Sequence, residues 1–373
     1  MKRGLLSAAF RLFTSLAAAV PAKTLVPDVS PELPRLVLYY QTTHDSAGRP
    51  ISMLPLVTEK NIALTHLIVC SFHINLNGII HLNDFPPGDP LFYTLWNETL
   101  VMKAAGVKVM GMVGGAAPGS FSAQTLDGDD TTFEIFYDQL YDAISYYGLD
   151  GMDLDVEQPM TQAGITRLIK RLRADFGPDF IITLAPVASA LRNGANLSGF
   201  NYKTLETAVG NDIAFHNAQF YNGFGNMAST ADYDRVISQG WNPSKILAGQ
   251  ITTPSNGGGW VPYDRLNATI AALRSKYGQI GGIMGWEYFN SQPGGLAQPW
   301  QWAQVITAIL RPNQVPRLKI TKDKAEKLVD TWKYSRKPTG KDSGNPRKSK
   351  GDFITGIVHD TAPNVDYMAM INA

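Results

Sequence analysis

The sequence predicts a single closed (β/α)8 barrel, the TIM-barrel architecture, over residues 33–312. Eight short apolar runs recur along the chain, and each is nearly continuous, as in parallel strands that helices cover on the outside. Segments with helical spacing separate these runs. The sequence contains no GxGxxG turn that would favour an open dinucleotide-binding sheet. A chain of 373 residues can form such a barrel as one catalytic domain.

The eight apolar runs are assigned to strands in chain order. They are RLVLYYQ from Arg35, THLIVCSF from Thr65, VKVMGMVGG from Val107, LDGMDLDVE from Leu149, FIITLAP from Phe180, IAFHNAQFYN from Ile213, KILAGQI from Lys245 and IGGIMGWEY from Ile280. The segment after the fourth run is predicted to be an amphipathic helix, because its apolar residues recur at helical spacing. These residues are Ile165, Leu168, Ile169 and Leu172. Cys70 is the only cysteine, so the fold relies on a packed core without an intrachain disulfide.

The N-terminal segment at residues 1–22 has the features of a secretory signal peptide. Basic residues are followed by an apolar stretch and by a small-residue cleavage site after Ala22. A fraying N-terminal helix is the alternative. Three N-glycosylation sequons, at Asn97, Asn196 and Asn267, fit a secretory route. We therefore expect a secreted, extracellular glycoprotein, and the rest of the chain contains no apolar run long enough to span a membrane.

The C-terminal extension, residues 313–373, differs in composition from the barrel. Its basic stretch at 333–350 has no apolar period and predicts a flexible tail or loop, with attachment to an acidic surface as the alternative. Over the whole chain, 33 basic residues balance 32 acidic residues. Because no basic face stands out in the barrel, a nucleic-acid partner is not expected. We expect a monomer.

The segment GLDGMDLDVEQP places three carboxylates on alternating positions of the fourth strand. Asp153, Asp155 and Glu157 share one face, while Leu154 and Val156 share the other. In a barrel, the apolar face meets the helices and the acidic row points inward, rising toward the C-terminal rim where barrel enzymes place their active sites. Burying several carboxylates is costly unless they share protons, so at least one should have a raised pKa and could act as a general acid.

Three interpretations of this acidic row compete. A metal site is possible, but the spacing is not that of a calcium-binding D-x-D-x-D-G loop, and neither metal nor cofactor is expected. A purely structural network is possible, but such a row is too expensive for packing alone. Glycoside hydrolysis explains the row best, because carboxyl groups that flank the scissile bond are the usual catalytic groups of this reaction.

The residues of this strand resemble a known family. The segment DGMDLDVE matches the DGxDxDxE signature of family 18 glycoside hydrolases. Two further segments support the resemblance, QFYN on the sixth strand and GGIMGWEY on the eighth. The loop segments QTTHD, MVGGAAPGSF and GWEYFNSQPGG resemble those of secreted fungal endo-β-N-acetylglucosaminidases within that family. The resemblance covers the barrel and implies the same fold.

The resemblance also implies catalytic roles. Glu157 would protonate the glycosidic oxygen and later activate water. Asp155 would orient the acetamido group of the substrate, whose carbonyl oxygen attacks the anomeric carbon to give an oxazolinium ion in place of a covalent enzyme adduct. Asp153 would share a proton with Asp155, and Tyr221 would hydrogen-bond the acetamido carbonyl. Taken alone, Tyr221 could equally be a core residue.

Sugar-binding residues are implied in the same way. Trp286 would form the apolar floor beneath the reacting sugar, with a cis peptide bond to Glu287, although alone it could be a packing residue. One position departs from the family pattern, since Met112 stands where the third-strand motif has a serine, which leaves open how an ionised Asp153 is stabilised. The other expected sugar-binding positions are Tyr39, Gly114, Gly115, Gln219 and Asn222.

The substrate is the least determined feature. Between the seventh strand, near Ile251, and the eighth, near Ile280, the sequence has room for one helix, so the α+β insertion of many chitinases is expected to be absent. The loop resemblance favours cleavage between the two N-acetylglucosamines of the N-glycan core, with high-mannose N-glycans or glycoproteins as partners. Chitin oligomers are the alternative substrate. A third possibility is an inactive, sugar-binding barrel, but such proteins typically lose the acid at the position of Glu157.

Overall fold

Eight parallel strands close into a barrel in the computed structural model, which describes residues 33–335. The nine strands are β1 Arg35–Tyr40, β2 His66–His73, β3 His81–Leu82, β4 Lys108–Gly115, β5 Gly151–Val156, β6 Ile181–Leu184, β7 Phe215–Gln219, β8 Ile246–Ile251 and β9 Gly282–Trp286. The ring closes because β1 pairs in parallel with both β2 and β9. The short β3 lies outside the ring and pairs antiparallel with β2. Each of the eight predicted runs contains one barrel strand, so the predicted fold class is confirmed.

Helices surround the barrel. They are α1 Pro55–Thr58, α2 Tyr93–Ala104, α3 Asp130–Tyr147, α4 Gln162–Phe176, α5 Tyr202–Val209, α6 Ala231–Ile237, α7 Tyr263–Tyr277, α8 Gln301–Leu310 and α9 Lys322–Ser335. The helix predicted after the fourth run is α4, and its four apolar residues are all buried. Thr161 caps its N-terminus by accepting a hydrogen bond from the Gly164 amide at 3.0 Å.

Two apolar cores result from this architecture. The larger one lies between the strands and the helices and contains the outward-facing residues of the strands, such as Leu154 and Val156 on β5. The smaller one fills the barrel interior and includes Cys70, Met110 and Met112, each of which is fully buried. The polar site described below stands above this inner core.

The loop between β8 and β9 is short. It holds only a 3-10 turn at Pro254–Asn256 and the helix α7, so the predicted absence of an α+β insertion is confirmed. The mouth of the barrel on this side is therefore bordered by a loop and not by an additional domain. No helix of residues 33–335 is long and apolar enough to cross a membrane.

The C-terminal extension is partly helical, which the sequence did not predict. Helix α9 packs against α2 and extends into the stretch at 333–350 that was predicted to be a flexible tail or loop. The reason is an apolar face with helical spacing, since Ala325 is fully buried and Leu328 and Val329 pack against the outer core. The remainder of that stretch, from residue 336, and the predicted signal peptide at residues 1–22 lie outside the described residues.

The three sequons differ in accessibility. Asn97 lies in α2 and is only 9% exposed in the folded chain, and a glycan there also remains a prediction. Asn196 is exposed, but its Nδ2 donates to the Phe200 carbonyl at 2.7 Å. Asn267 is exposed on α7. Glycans at Asn196 and Asn267 remain predictions.

Candidate active site

Strand β5 carries the acidic row into the barrel as its alternation requires. Asp153 and Asp155 are buried inside the ring, while Leu154 and Val156 face the outer core. Glu157 follows the last residue of β5 and is partly exposed at the C-terminal mouth. The three carboxyl groups therefore form a series that runs from the closed interior to the solvent.

Asp153, the deepest carboxyl, is surrounded by neutral donors. Its Oδ2 accepts from the Tyr39 hydroxyl at 2.6 Å, and its Oδ1 accepts from Thr183 Oγ1 at 2.5 Å and from Asn217 Nδ2 at 3.1 Å. Burial raises the pKa of Asp153 above the usual range, and these three hydrogen bonds lower it only in part. They favour the ionised form of the carboxyl, although no cation pairs with it among the described residues.

These donors explain how an ionised Asp153 is stabilised although Met112 stands where the family has a serine. Met112 lies opposite Asp153 on β4, and Thr183 lies opposite it on the other side, on β6. The hydroxyl that a serine on β4 would supply is thus supplied from β6. Thr183 and Asn217 were both missed by the sequence analysis, although each is a polar residue inside an apolar run, a signal that could have identified them.

Asp155, one step closer to the mouth, has a different environment. Its Oδ1 accepts a single hydrogen bond, from Gln219 Nε2 at 3.3 Å. Burial raises the pKa of Asp155 well above the usual range, and the neighbouring charges of Glu157 and Asp153 raise it further. Asp155 is therefore the carboxyl that favours holding a proton, next to Asp153, which accepts three hydrogen bonds.

Gln219, the last residue of β7, connects the upper part of the row. Its Nε2 also donates to Glu157 Oε1 at 3.0 Å and to the Ala185 carbonyl at 3.0 Å. This side chain was predicted to bind sugar, and the structure places it against two carboxyl groups. Its contacts orient Glu157 and Asp155 relative to each other, and a contact with sugar remains a prediction.

Two tyrosines flank the row. Tyr221 is 5% exposed, and its pKa is raised well above the usual range by burial and by the charges of Asp155, Glu157 and Asp153, so its hydroxyl stays a donor. Tyr39 was expected to bind sugar, and this contact remains a prediction. It is 1% exposed because its hydroxyl points at Asp153 and its ring packs against Trp286 at 5.5 Å between centroids.

The paired glycines at the end of β4 have distinct effects. A Cβ on Gly114 would lie 2.2 Å from the Asp155 carbonyl oxygen and 2.4 Å from Phe121, so this glycine permits close packing of β4 on β5. A Cβ on Gly115 would lie 3.7 Å from Ser71 Oγ and 3.8 Å from Asp155 Oδ2. A Cβ on Gly115 would thus make only ordinary contacts, and it is the φ of 91° that favours glycine at this position.

Asn222 joins the loops that follow β7 and β8. Its Oδ1 accepts from the Gly258 amide at 2.8 Å, and its own amide donates to the Gly258 carbonyl at 2.9 Å. The residue has a left-handed backbone with a φ of 54° and is exposed. It therefore organises the rim, and its predicted contact with sugar remains a prediction.

An apolar surface borders the carboxyl groups at the end of β9. Trp286 is partly exposed and packs against the inner core, as does Trp260 from the loop after β8. The peptide bond between Trp286 and Glu287 is cis, as the resemblance implies. The Trp286 carbonyl accepts from the Thr252 amide at 2.8 Å and from Asn256 Nδ2 at 3.2 Å. Trp260 and Asn256 were not predicted from the sequence.

The arrangement is suited to proton transfer beside an apolar platform. A partly exposed carboxyl, Glu157, stands at the mouth, with a proton-holding carboxyl and a tyrosine hydroxyl beneath it. Among residues 33–335, no three His, Cys, Asp or Glu side chains are arranged to hold a metal ion.

The chain is similar to known glycoside hydrolases in sequence and in fold. Residues 35–253 match the sequence profile described as glycosyl hydrolases family 18. The solved structure of a fungal endo-β-N-acetylglucosaminidase of that family is 69% identical, with a TM-score of 0.75, over 76% of this chain and 100% of the other. The chitinase ChiC from Aspergillus fumigatus is 48% identical, with a TM-score of 0.68, over 72% of this chain and 96% of the other.

Two curated relatives are more distant. Chitinase 2 from Rhizopus oligosporus is 27% identical over 164 residues, which are 39% of this chain and 28% of that protein. Endochitinase 37 from Trichoderma harzianum is 24% identical over 222 residues, which are 53% of this chain and 64% of that protein. The matched regions thus span less than two thirds of either relative.

Proposed function

Since the chain belongs to glycosyl hydrolase family 18, we propose that it is an endo-β-N-acetylglucosaminidase that cleaves the β-1,4 bond between the two N-acetylglucosamines of the N-glycan core. The observation that carries this proposal is the 69% identity to a fungal endo-β-N-acetylglucosaminidase over the full length of that structure. The short β8–β9 loop supports it, because an open mouth admits a branched glycan. High-mannose N-glycans and glycoproteins are the proposed substrates.

Glu157 is the proposed acid and base. Gln219 holds its Oε1, and among the described residues Oε2 has no hydrogen-bond partner, so this oxygen is available to the glycosidic oxygen. As the bond from the anomeric carbon to that oxygen breaks, Glu157 gives up its proton to the leaving sugar. The carboxylate then takes a proton from the water that attacks the anomeric carbon from the same side, which regenerates the acid and retains the configuration.

The acetamido group of the substrate is the proposed nucleophile. Its carbonyl oxygen attacks the anomeric carbon and forms an oxazolinium ion, whose N–H is held by Asp155. Asp155 can accept this N–H once its proton passes to Asp153, which three donors stabilise as the starting anion. Tyr221 donates to the acetamido carbonyl and thereby orients it. A thiazoline analogue of N-acetylglucosamine should inhibit, and the absence of inhibition at high concentration would count against this route.

One assay separates the proposal from its alternatives. Glycan release from ribonuclease B is compared with hydrolysis of chitin oligomers by the same preparation. The proposal expects release of high-mannose glycans, and activity on chitin oligomers alone would contradict it and favour an endochitinase, which the 48% identity to ChiC supports. Binding without turnover would favour a sugar-binding barrel, a possibility that the intact group of Glu157, Asp155 and Tyr221 disfavours.

We also propose that the protein is secreted after removal of residues 1–22 and carries glycans at Asn196 and Asn267. The relevant features are the signal-like composition of the N-terminus and the exposure of both asparagines. Sequencing of the protein recovered from a culture medium should give an N-terminus after Ala22. Retention inside the cells with Met1 intact would contradict secretion.

A further inference from the structure

A further buried carboxyl group lies at the mouth, outside the acidic row. Glu287 follows Trp286 in the chain and is 6% exposed. Its Oε2 accepts from the backbone amides of Thr42 at 2.8 Å and Gln41 at 3.2 Å, and its Oε1 accepts from Thr42 Oγ1 at 3.0 Å. The catalytic route described above does not use this group. Because burying a carboxyl group costs free energy, we expect Glu287 to have a structural role at this position.

These hydrogen bonds join two loops across the seam of the barrel. β1 and β9 are neighbouring strands, and Glu287 ties the segment that follows β9 to the segment that follows β1. The other side of the same backbone is held by the segment that follows β8, because the Glu287 carbonyl accepts from Thr252 Oγ1 at 2.7 Å. The Tyr288 amide donates to the Tyr39 carbonyl at 2.9 Å. The residues around Trp286 are thus anchored on both flanks.

We propose that Glu287 is a positioning residue that fixes the orientation of Trp286 and so the placement of the sugar bound over it. This inference rests on the proposed function, in which Trp286 is the floor beneath the reacting sugar. Glu287 acts through the backbone, since its carboxyl oxygens are directed at Gln41 and Thr42 and not into the mouth. Without it, two backbone amides would lose their acceptor and the side-chain volume would be empty, so the end of β9 that carries Trp286 would shift.

The experiment compares Glu287→Ala with Glu287→Gln. The glutamine can place its oxygen against the two amides and donate its NH2 group to the Thr42 hydroxyl, which accepts as well as donates. We expect KM to rise on the order of tenfold in Glu287→Ala, with a smaller change in kcat, and to stay within about threefold in Glu287→Gln. An unchanged KM in Glu287→Ala, or a glutamine variant as impaired as the alanine variant, would overturn the inference.

A matched control separates positioning from general stability. Glu98 is 5% exposed and also accepts from a hydroxyl and a backbone amide, those of Ser52 at 2.8 Å and Met53 at 2.7 Å, but it ties α2 to the segment before α1. Glu98→Ala should lower the melting temperature without raising KM. An equal rise in KM for Glu98→Ala would show that loss of stability is the cause and would overturn the inference.

The test remains decisive in two further cases. If Glu287→Ala does not fold, Thr42→Val removes one of the three donors and should raise KM by a smaller factor, and an unchanged KM would contradict the inference. If the wild type cleaves chitin oligomers but not ribonuclease B, the proposed substrate is wrong. The role of Glu287 is then tested by comparing the KM of the same variants for chitin oligomers. Calorimetric binding of the thiazoline analogue gives the same comparison without turnover.

Discussion

Two sides of the barrel mouth bury carboxyl groups in different ways. On the side that carries β5, Asp153 and Asp155 receive their hydrogen bonds from side chains, namely those of Thr183, Asn217 and Gln219 on β6 and β7 and that of Tyr39, which reaches across from β1. On the seam between β9 and β1, Glu287 receives two of its three bonds from backbone amides. Side-chain donors are neutral groups that can reorient as protons move. Backbone donors are fixed, so the first side is suited to proton transfer and the second to holding geometry.

The first prediction removes the proton donor from the first side. Glu157→Gln should lower kcat by about a hundred- to ten-thousandfold, because the amide cannot protonate the leaving oxygen. The melting temperature should stay near that of the wild type, since Glu157 is partly exposed. Steady-state hydrolysis measures the loss, and Glu134→Gln on α3, where the carboxylate is 50% exposed, is the control that should keep full activity. A Glu157 variant with near wild-type rates would refute the assignment.

The second prediction removes the group proposed to hold the acetamido nitrogen. Asp155→Asn should lower kcat by about a hundred- to a thousandfold, because the developing positive charge loses its carboxylate partner. The test compares a substrate that has the acetamido group with one that lacks it. If the wild type hydrolyses the substrate without the acetamido group equally well, the substrate-assisted route is wrong.

The third prediction weakens the stabilisation of the Asp153 anion. Thr183→Val removes a donor at 2.5 Å and should raise the pKa of Asp153 further, because that hydrogen bond favours the ionised form. Asp155 can pass its proton only to an ionised Asp153, so the acidic limb of the kcat/KM profile should move to higher pH. At mildly acid pH, kcat/KM should fall by about two- to tenfold. An unmoved limb would contradict the proton-sharing pair.

The smallest expected effect concerns stability. The folded-state pKa of Asp155 lies well above its unfolded value, so the unfolded chain releases this proton first and stability is lost as pH rises from the unfolded pKa toward the folded one. Asp155→Asn removes that loss, and its melting temperature should exceed that of the wild type by roughly a few degrees at neutral pH, with no gain in strong acid. Asp130→Asn, at a carboxyl that is 96% exposed, is the control. A variant that is less stable at neutral pH would contradict the assignment.

Local features of the sequence were enough to predict the barrel strands and the inward-facing acidic row. Continuous apolar runs specify strands buried on both faces, and the alternation of Asp153, Asp155 and Glu157 specifies their common face, because both patterns depend only on the strand repeat. Helix α9 was missed because the basic residues of its exposed face obscured three apolar positions at helical spacing. The buried state of Asn97 was missed because a sequon carries no information on which helix face packs inward.

The fold class and the set of carboxyl groups that enter the barrel follow from local sequence patterns, since each depends on a repeat of a few residues. The hydrogen bonds that hold those groups depend on how the whole chain folds. Thr183 and Asn217 reach Asp153 because strand register places residues distant in the chain at hydrogen-bond distance, and Glu287 reaches Thr42 because the ring closes between its first and last strands. A hydrogen bond depends on distances of a few tenths of an ångström, which the packing of the whole barrel sets.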